Sequence, residues 1–220
     1  MKKLILVAAL ALVSVSLSAQ VFIGGSLGIG TQGNTDRVAN ASSSQFTLTL
    51  APNVGFKLND DMCVGGRLRF GTTSNTNAGV VTPGRVSFGV QPYFRYNLLY
   101  FGDFALAGEA NTALIFSGQT TTTTTPGAPD SVNKWNSTTF SLGVTPVLLY
   151  QLNKHITLEA NLNILTLGFV STSTKDVDIV AGATTTNQDD TQSNFVTAVN
   201  ANDVFGGGWG AIQIGFTYTF

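Results

Sequence analysis

"RVSFGVQPYFRYNL", Arg85 to Leu98, decides how the rest of this chain is read. Val86, Phe88, Val90, Pro92, Phe94, Tyr96 and Leu98 alternate with Arg85, Ser87, Gly89, Gln91, Tyr93, Arg95 and Asn97. A period of two places all the first set on one face of a β-strand and all the second on the other. The stretch is longer than an ordinary strand of about 5–6 residues. It also carries arginines and glutamine on the face opposite the aromatics.

The same pattern recurs. "FTLTLAPNVGFKL" sets Phe46, Leu48, Leu50, Pro52, Val54, Phe56 and Leu58 against Thr47, Thr49, Ala51, Asn53, Gly55 and Lys57. "FSLGVTPVLLYQL" sets Phe140, Leu142, Val144, Pro146, Leu148, Tyr150 and Leu152 against Ser141, Gly143, Thr145, Val147, Leu149 and Gln151. Each segment has a proline on its apolar face, at Pro52, Pro92 and Pro146. Proline removes a ladder donor, so its recurrence predicts the same local kink in three equivalent hairpins.

Four more alternating segments and a closing one complete the pattern: "VFIGGSLGIG", "MCVGGRLRF", "FALAGEANTALIF", "ITLEANLNILTL" and "IQIGFTYTF". That makes eight strands. Three connections are short, around Asn59 to Asp61, Leu99 to Gly102 and Asn153 to His155. Four are long and polar, at about 31–44, 72–84, 118–137 and 171–206. Short and long alternate strictly. The expectation is an all-β fold: an eight-stranded antiparallel up-and-down transmembrane β-barrel with short periplasmic turns and long extracellular loops.

The opening "MKKLILVAALALVSVSLSAQ" has Lys2 and Lys3, an apolar run and small residues before Gln20. It reads as a secretory signal peptide over 1–19, with the barrel domain over 20–220. The apolar run is shorter than the ~20 residues of a spanning helix. Charged residues are 10% of the chain, against roughly 25% in soluble domains. Basic and acidic residues nearly balance, at 11 and 12, so no nucleic-acid footprint exists. Cys63 is the only cysteine, which leaves no intramolecular disulfide.

A soluble eight-stranded cup of the lipocalin type would show the same period. Three features favour lipid. The polar face is rich in Gly, Ser, Thr, Ala and Asn rather than charge, which suits a narrow lumen. Its few charges are of both signs: Lys57, Arg67, Arg69, Arg85 and Arg95 against Glu109 and Glu159, a set able to form a paired lumen network. Tyr96, Tyr150, Tyr218 and Phe220 gather near the short-turn end, while Trp209, with Trp135, falls at the long-loop end. Those positions predict two aromatic girdles.

With its leader, its alternating strands and its "FTYTF" terminus, the chain resembles the small outer-membrane β-barrel, or porin-like, proteins of Gram-negative bacteria. The resemblance covers the whole chain after the leader, through patterns rather than a fixed signature. It implies an outer-membrane location among lipid and lipopolysaccharide. It also implies handling by periplasmic chaperones and the barrel-assembly machinery, with Phe220 as the assembly signal. Because the sequence stops on the closing strand, the peptidoglycan-binding domain of some relatives, and the tether it provides, does not carry over.

Other motifs are weaker. "GIGTQG", Gly28 to Gly33, fits a dinucleotide fingerprint, but no helical periodicity follows it, so no cofactor is expected. His155, the only histidine, falls in a short turn, away from where a base and nucleophile could meet. It reads as a solvated turn residue, and no catalysis is expected. "DVD" at 176–178 and "DD" at 189–190 could offer oxygen ligands to a hard cation, but a solvated acidic loop is the simpler reading. "QTTTTTTPGAPDSV" is a low-complexity stretch facing the medium, and its Asp130-Ser131-Val132 is a weak match to a bacterial glycosylation acceptor. Three functions stay open: a structural barrel presenting its loops, a narrow pore for small solutes, and a loop-mediated adhesin for an unknown surface ligand.

Overall fold

In the computed structural model, residues 20–36, 41–77, 80–123, 129–161, 166–180, 183–198 and 213–220 are described. The expected leader, Trp209 and the tip of the threonine-rich connection at 124–128 lie outside them. The described strands are β1 (Gln20–Asp36), β2 (Ala41–Lys57), β3 (Met62–Asn77), β4 (Val80–Phe101) and β5 (Phe104–Thr123). They continue with β6 (Ser131–Gln151), β7 (Ile156–Asn161), β8 (Thr166–Val180), β9 (Ala183–Ala198) and β10 (Gln213–Thr219). The ring runs β1–β2–β3–β4–β5–β6–β7–β10 and back to β1. β8 carries on up β6 where β7 stops, and β9 pairs with β8. The wall is therefore eight strands around, all antiparallel.

Closure is made by the terminal strand. Phe22 pairs with Thr219 and Gly28 with Gln213, and on the other side Gln213 pairs with Asn161 and Tyr218 with Ile156. The Phe220 amide adds a bond to the Val21 carbonyl at 3.1 Å. Both edges of "QIGFTYT" are thus paired, which removes the open edge that invites aggregation.

Two of the short turns are where the sequence places them and share one design, while the third comes later than expected because β4 runs on to Phe101. Asn59 Oδ1 accepts the amides of Asp61 and Met62 at 2.9 and 2.8 Å. Asn153 Oδ1 accepts those of His155 and Ile156 at 2.8 and 2.9 Å. "LNDDM" and "LNKHI" are the same asparagine-anchored turn. The third is tighter, with Gly102 at φ 64°, a left-handed conformation that glycine adopts without strain.

The long connections differ from plain loops. Most of their residues are strand: β1 and β2 pair out to Asp36 and Ala41, β5 and β6 out to Thr123 and Ser131, and β8 and β9 out to Val180 and Ala183. β-Branched threonine favours extended backbone, so the hairpins run on beyond the apolar belt.

The prolines take equivalent places in the ladder. Pro52 faces Gly25, Pro92 faces Gly66 and Pro146 faces Gly108, each on the partner strand of its own hairpin. The ladder to the following strand breaks at the same place each time. β2–β3 pairing skips from Leu50 to Asn53, and β4–β5 from Val90 to Tyr93. β6 leaves β8 at Val144 and meets β7 at Val147. A missing N–H accounts for the skip, so proline marks the junction between hairpins.

Exposure is inverted relative to a protein in water. Val86 and Ile214 are each 64% exposed, and Leu50, Leu142, Phe216 and many others stand fully outside. The buried polar set includes Arg67, Arg69, Gln91, Arg95, Glu109, Asn111, Glu159, Asn161 and Gln213, among serines and threonines, beside a small apolar cluster of Ala105, Ala107, Val147 and Leu149. A lipocalin-type cup would bury the first set and expose the second. From Tyr150 to Phe140 the outward face of β6 rises roughly 25 Å, at ~3.3 Å per residue and ~40° tilt, which is the height of a membrane belt.

Candidate functional site: the charged lumen

Inward residues on β3, β4, β5 and β7 share one parity, so their long side chains meet on the barrel axis. Arg95 stands directly across from Glu109. Arg67 forks onto Glu109, its Nη1 donating to Oε1 and its Nη2 to Oε2 at 2.6 Å. Arg95 donates to Glu109 Oε2 from Nε at 3.2 Å and from Nη2 at 2.9 Å, and to Glu159 Oε2 at 2.7 Å. Arg67 Nη2 lies 3.9 Å from Glu159 Oε2. Two guanidinium and two carboxylate groups sum to zero charge. All four are buried, Glu109 to 1%. Bidentate, charge-assisted pairs of this kind are the strongest available to side chains.

Tyr93 floors the quartet. Its ring centre is 4.1 Å from the Arg67 guanidinium carbon and 5.4 Å from that of Arg95. The ring lies across Gly65, where an added Cβ would come within 2.6 Å of it. The neighbouring Gly66 points outward, and a Cβ there meets nothing within 4 Å. Gly65→Ala is therefore expected to lose about 1–3 kcal/mol of stability by overpacking, while Gly66→Ala leaves it unchanged or slightly raised. Urea midpoints in one detergent compare the two.

The other charges in the expected lumen set stand apart. Arg69 is buried one step along β3, with Nη1 3.4 Å from Gln91 Oε1. Lys57 stands at the short-turn mouth, lining a vestibule of about 710 Å³ with Gln20, Asp60, Asp61, Asn97 and Tyr100. Arg85 stands at the opposite end, its guanidinium carbon 3.7 Å from the centre of the Trp135 ring. Trp135 is thus not a girdle residue. On β6 the even positions face lipid, and Trp135 shares the inward row of Gln119 and Asp176.

The quartet lies across the bore beyond the vestibule. Beside it is a void of about 10 Å³, bounded by Arg67, Arg69, Gln91, Glu109, Asn111, Thr145, Asn161 and Gln213. That is room for about one water. One clue to convergence was present in the sequence: Glu109-Ala110-Asn111 and Glu159-Ala160-Asn161 repeat the same tripeptide, each putting a carboxylate and an amide inward.

Near the short turns, aromatics the sequence reading did not single out join the expected ones. Tyr96, Tyr218 and Phe220 are exposed, and Tyr150 packs at 4.6 Å against Phe104. Phe101 stacks on Phe104 at 6.2 Å. Phe101 has the parity of a lumen residue, but a register shift between Asn97 and Leu99 turns it outward. The same shift swings Tyr100 towards Asp61, whose Oδ1 accepts its hydroxyl at 2.8 Å. His155 is not simply solvated: it stacks on Tyr218, and its Nδ1 is 2.9 Å from the Thr219 carbonyl.

Among the described residues no three His, Cys, Asp or Glu side chains come together as metal ligands. Asp176 and Asp178 instead accept the Asn133 amide at 2.7 and 2.9 Å. The Asn187 and Asn133 amides hold the Asp178 carboxyl below its ordinary value.

An inverted exposure pattern on a closed eight-stranded wall leaves one class. The chain has the fold of an outer-membrane β-barrel. Among solved structures it is similar to a major outer membrane protein from Thermus thermophilus, at 13% identity and a TM-score of 0.53, over 92% of this chain and 100% of that one. Neisserial surface protein A aligns at 12% identity and a TM-score of 0.41, over 91% and 97% of the two chains. The translocator domain of the autotransporter NalP from Neisseria meningitidis does so at 12% and 0.41, over 97% and 95%. No family model matches the chain, and no curated protein matches its sequence.

Proposed function

We propose that this barrel is a closed, non-catalytic outer-membrane protein whose role is structural and surface-presenting. The observation that carries the reading is the Arg67–Arg95–Glu109–Glu159 quartet across the bore. A solute passing the lumen would have to part four buried, mutually neutralised charges, each left without a partner at a cost of several kcal/mol. The narrow-pore alternative is disfavoured on that ground. Purified barrel in planar bilayers is expected to give no stable conductance, whereas resolved unitary steps would overturn the reading.

His155 supports the absence of catalysis, since its ring is taken up by the Thr219 carbonyl and Tyr218. The leader over 1–19 is removed in this reading and 20–220 forms the barrel. Phe220, next to the paired closing strand, fits an assembly signal read by the barrel-assembly machinery after chaperone escort. Loop-mediated binding of a surface ligand draws support from the β6–β8–β9 sheet, which continues past the belt with polar faces. Shortening the β8–β9 hairpin while heat-modifiable migration persists would test that role through loss of surface binding.

A further inference from the structure

The outward face of the β5–β6–β8–β9 sheet changes character at one level. Phe116, Phe140 and Phe169 are the last aromatic residues described on that outward face. Phe116 shares a cross-strand row with Thr138 and Ser173; above it come Gly118–Asn136–Lys175–Asp189, then Thr120–Lys134–Val177, then Thr122–Val132–Ile179. Lys134 faces Val177, so Lys134 and Lys175 are diagonal neighbours, with bases about 7–8 Å apart. Side chains of that length can bring both ammonium groups onto a single phosphate. Both lysines are exposed, and the one charged contact, Lys175 Nζ to Asp189 Oδ2 at 3.9 Å, is beyond hydrogen bonding. From Phe140 to Asn136 the strand climbs about 10 Å, which sets the lysines at headgroup height, and long amine side chains reach down to that level.

We infer that Lys134 and Lys175, with Asn136, Ser173 and Thr138 beneath them, form a docking site for the phosphorylated headgroup of an outer-leaflet glycolipid. The acyl chains would lie along Phe116, Phe140 and Phe169. Charge complementarity supplies the attraction, the amide and hydroxyls suit sugar, and the site continues the lipid-facing wall without a break. The inference rests on the barrel's lying in the outer membrane with its long hairpins outward.

The test titrates bisphosphorylated lipid A, and the same lipid with its phosphates removed, into the full barrel in neutral detergent, read by native mass spectrometry. The phosphorylated lipid is expected to bind more tightly. Lys134→Gln and Lys175→Gln should each weaken it about fivefold, the effect of one basic residue at an anionic headgroup, and Asp189→Asn should tighten it. Heat-modifiable migration confirms that each variant is folded. Lys154→Gln, in a short turn at the other end, should change nothing. The proposal fails if the Lys134/Lys175 double variant binds like the parent, or if the dephosphorylated lipid binds equally well. Displacement by millimolar inorganic phosphate would mark a general anion patch and also overturn it. Loss of binding in Lys154→Gln alone would overturn the outward orientation instead, so the two failures are distinguishable.

Discussion

Glu109→Gln is expected to destabilise the barrel by about 3–5 kcal/mol, the effect of removing one partner from a buried ion cluster. Glu109 accepts from both Arg67 and Arg95, and no other carboxylate engages both so closely: Glu159 is 2.7 Å from Arg95 but 3.9 Å from Arg67. The isosteric amide keeps the volume and removes the charge, so two guanidinium groups would share Glu159 with one surplus positive charge in the bore. Urea unfolding in detergent, followed by tryptophan emission and by migration of unheated samples, measures the loss. An unchanged midpoint would mean that Glu109 is not essential to the pairing. Glu159→Gln should do less, because one of its two ion-pair distances is already long.

Val144→Arg should lose about 2–4 kcal/mol, as charged residues do at the bilayer midplane on the lipid face of a barrel. Val144 is half-exposed and stands midway between Tyr150 and Phe140 on the outward side of β6. The adjacent Thr145 is buried in the lumen across from Glu109. The predicted penalty depends on depth: Lys134, on the same face of the same strand, already carries a charge above the belt. Folding yield into lipid vesicles across a series of arginine substitutions at even positions of β6 would trace that dependence. A flat profile would mean that this face does not meet hydrocarbon.

The two predictions probe the two sides of one wall, and the sides were not equally readable. Lipid-facing positions follow from alternation alone, because strand parity is strict and the belt needs an apolar residue at every second place. That is why Val86 to Leu98 and Phe140 to Leu152 could be assigned by counting. Parity fails where register shifts, as between Asn97 and Leu99, and there Phe101 turns outward although its odd number would place it in the lumen. Trp135 was misplaced for another reason: bulk and position near an end suggested a girdle, but its parity is inward, against Arg85.

The inward charges show the opposite limit. Glu109 and Glu159 lie fifty positions apart, and Arg67 and Arg95 lie on two further strands. Alternation says that all face the lumen, but not at which height. Height depends on strand tilt and stagger, which are properties of the closed ring. Closure sets Arg67, Arg95, Glu109 and Glu159 at one level and sends Lys57 and Arg85 to opposite mouths.

By itself the sequence determined the strand count, the face each strand shows to lipid, the short turns and the apolar belt, since these depend on local period and turn chemistry. Only the tertiary structure decided that the long polar connections are paired hairpins, that three prolines break the ladder between hairpins, and that four charges meet across the bore. Each of those rests on register between strands far apart in the chain, and register is settled when the ring closes.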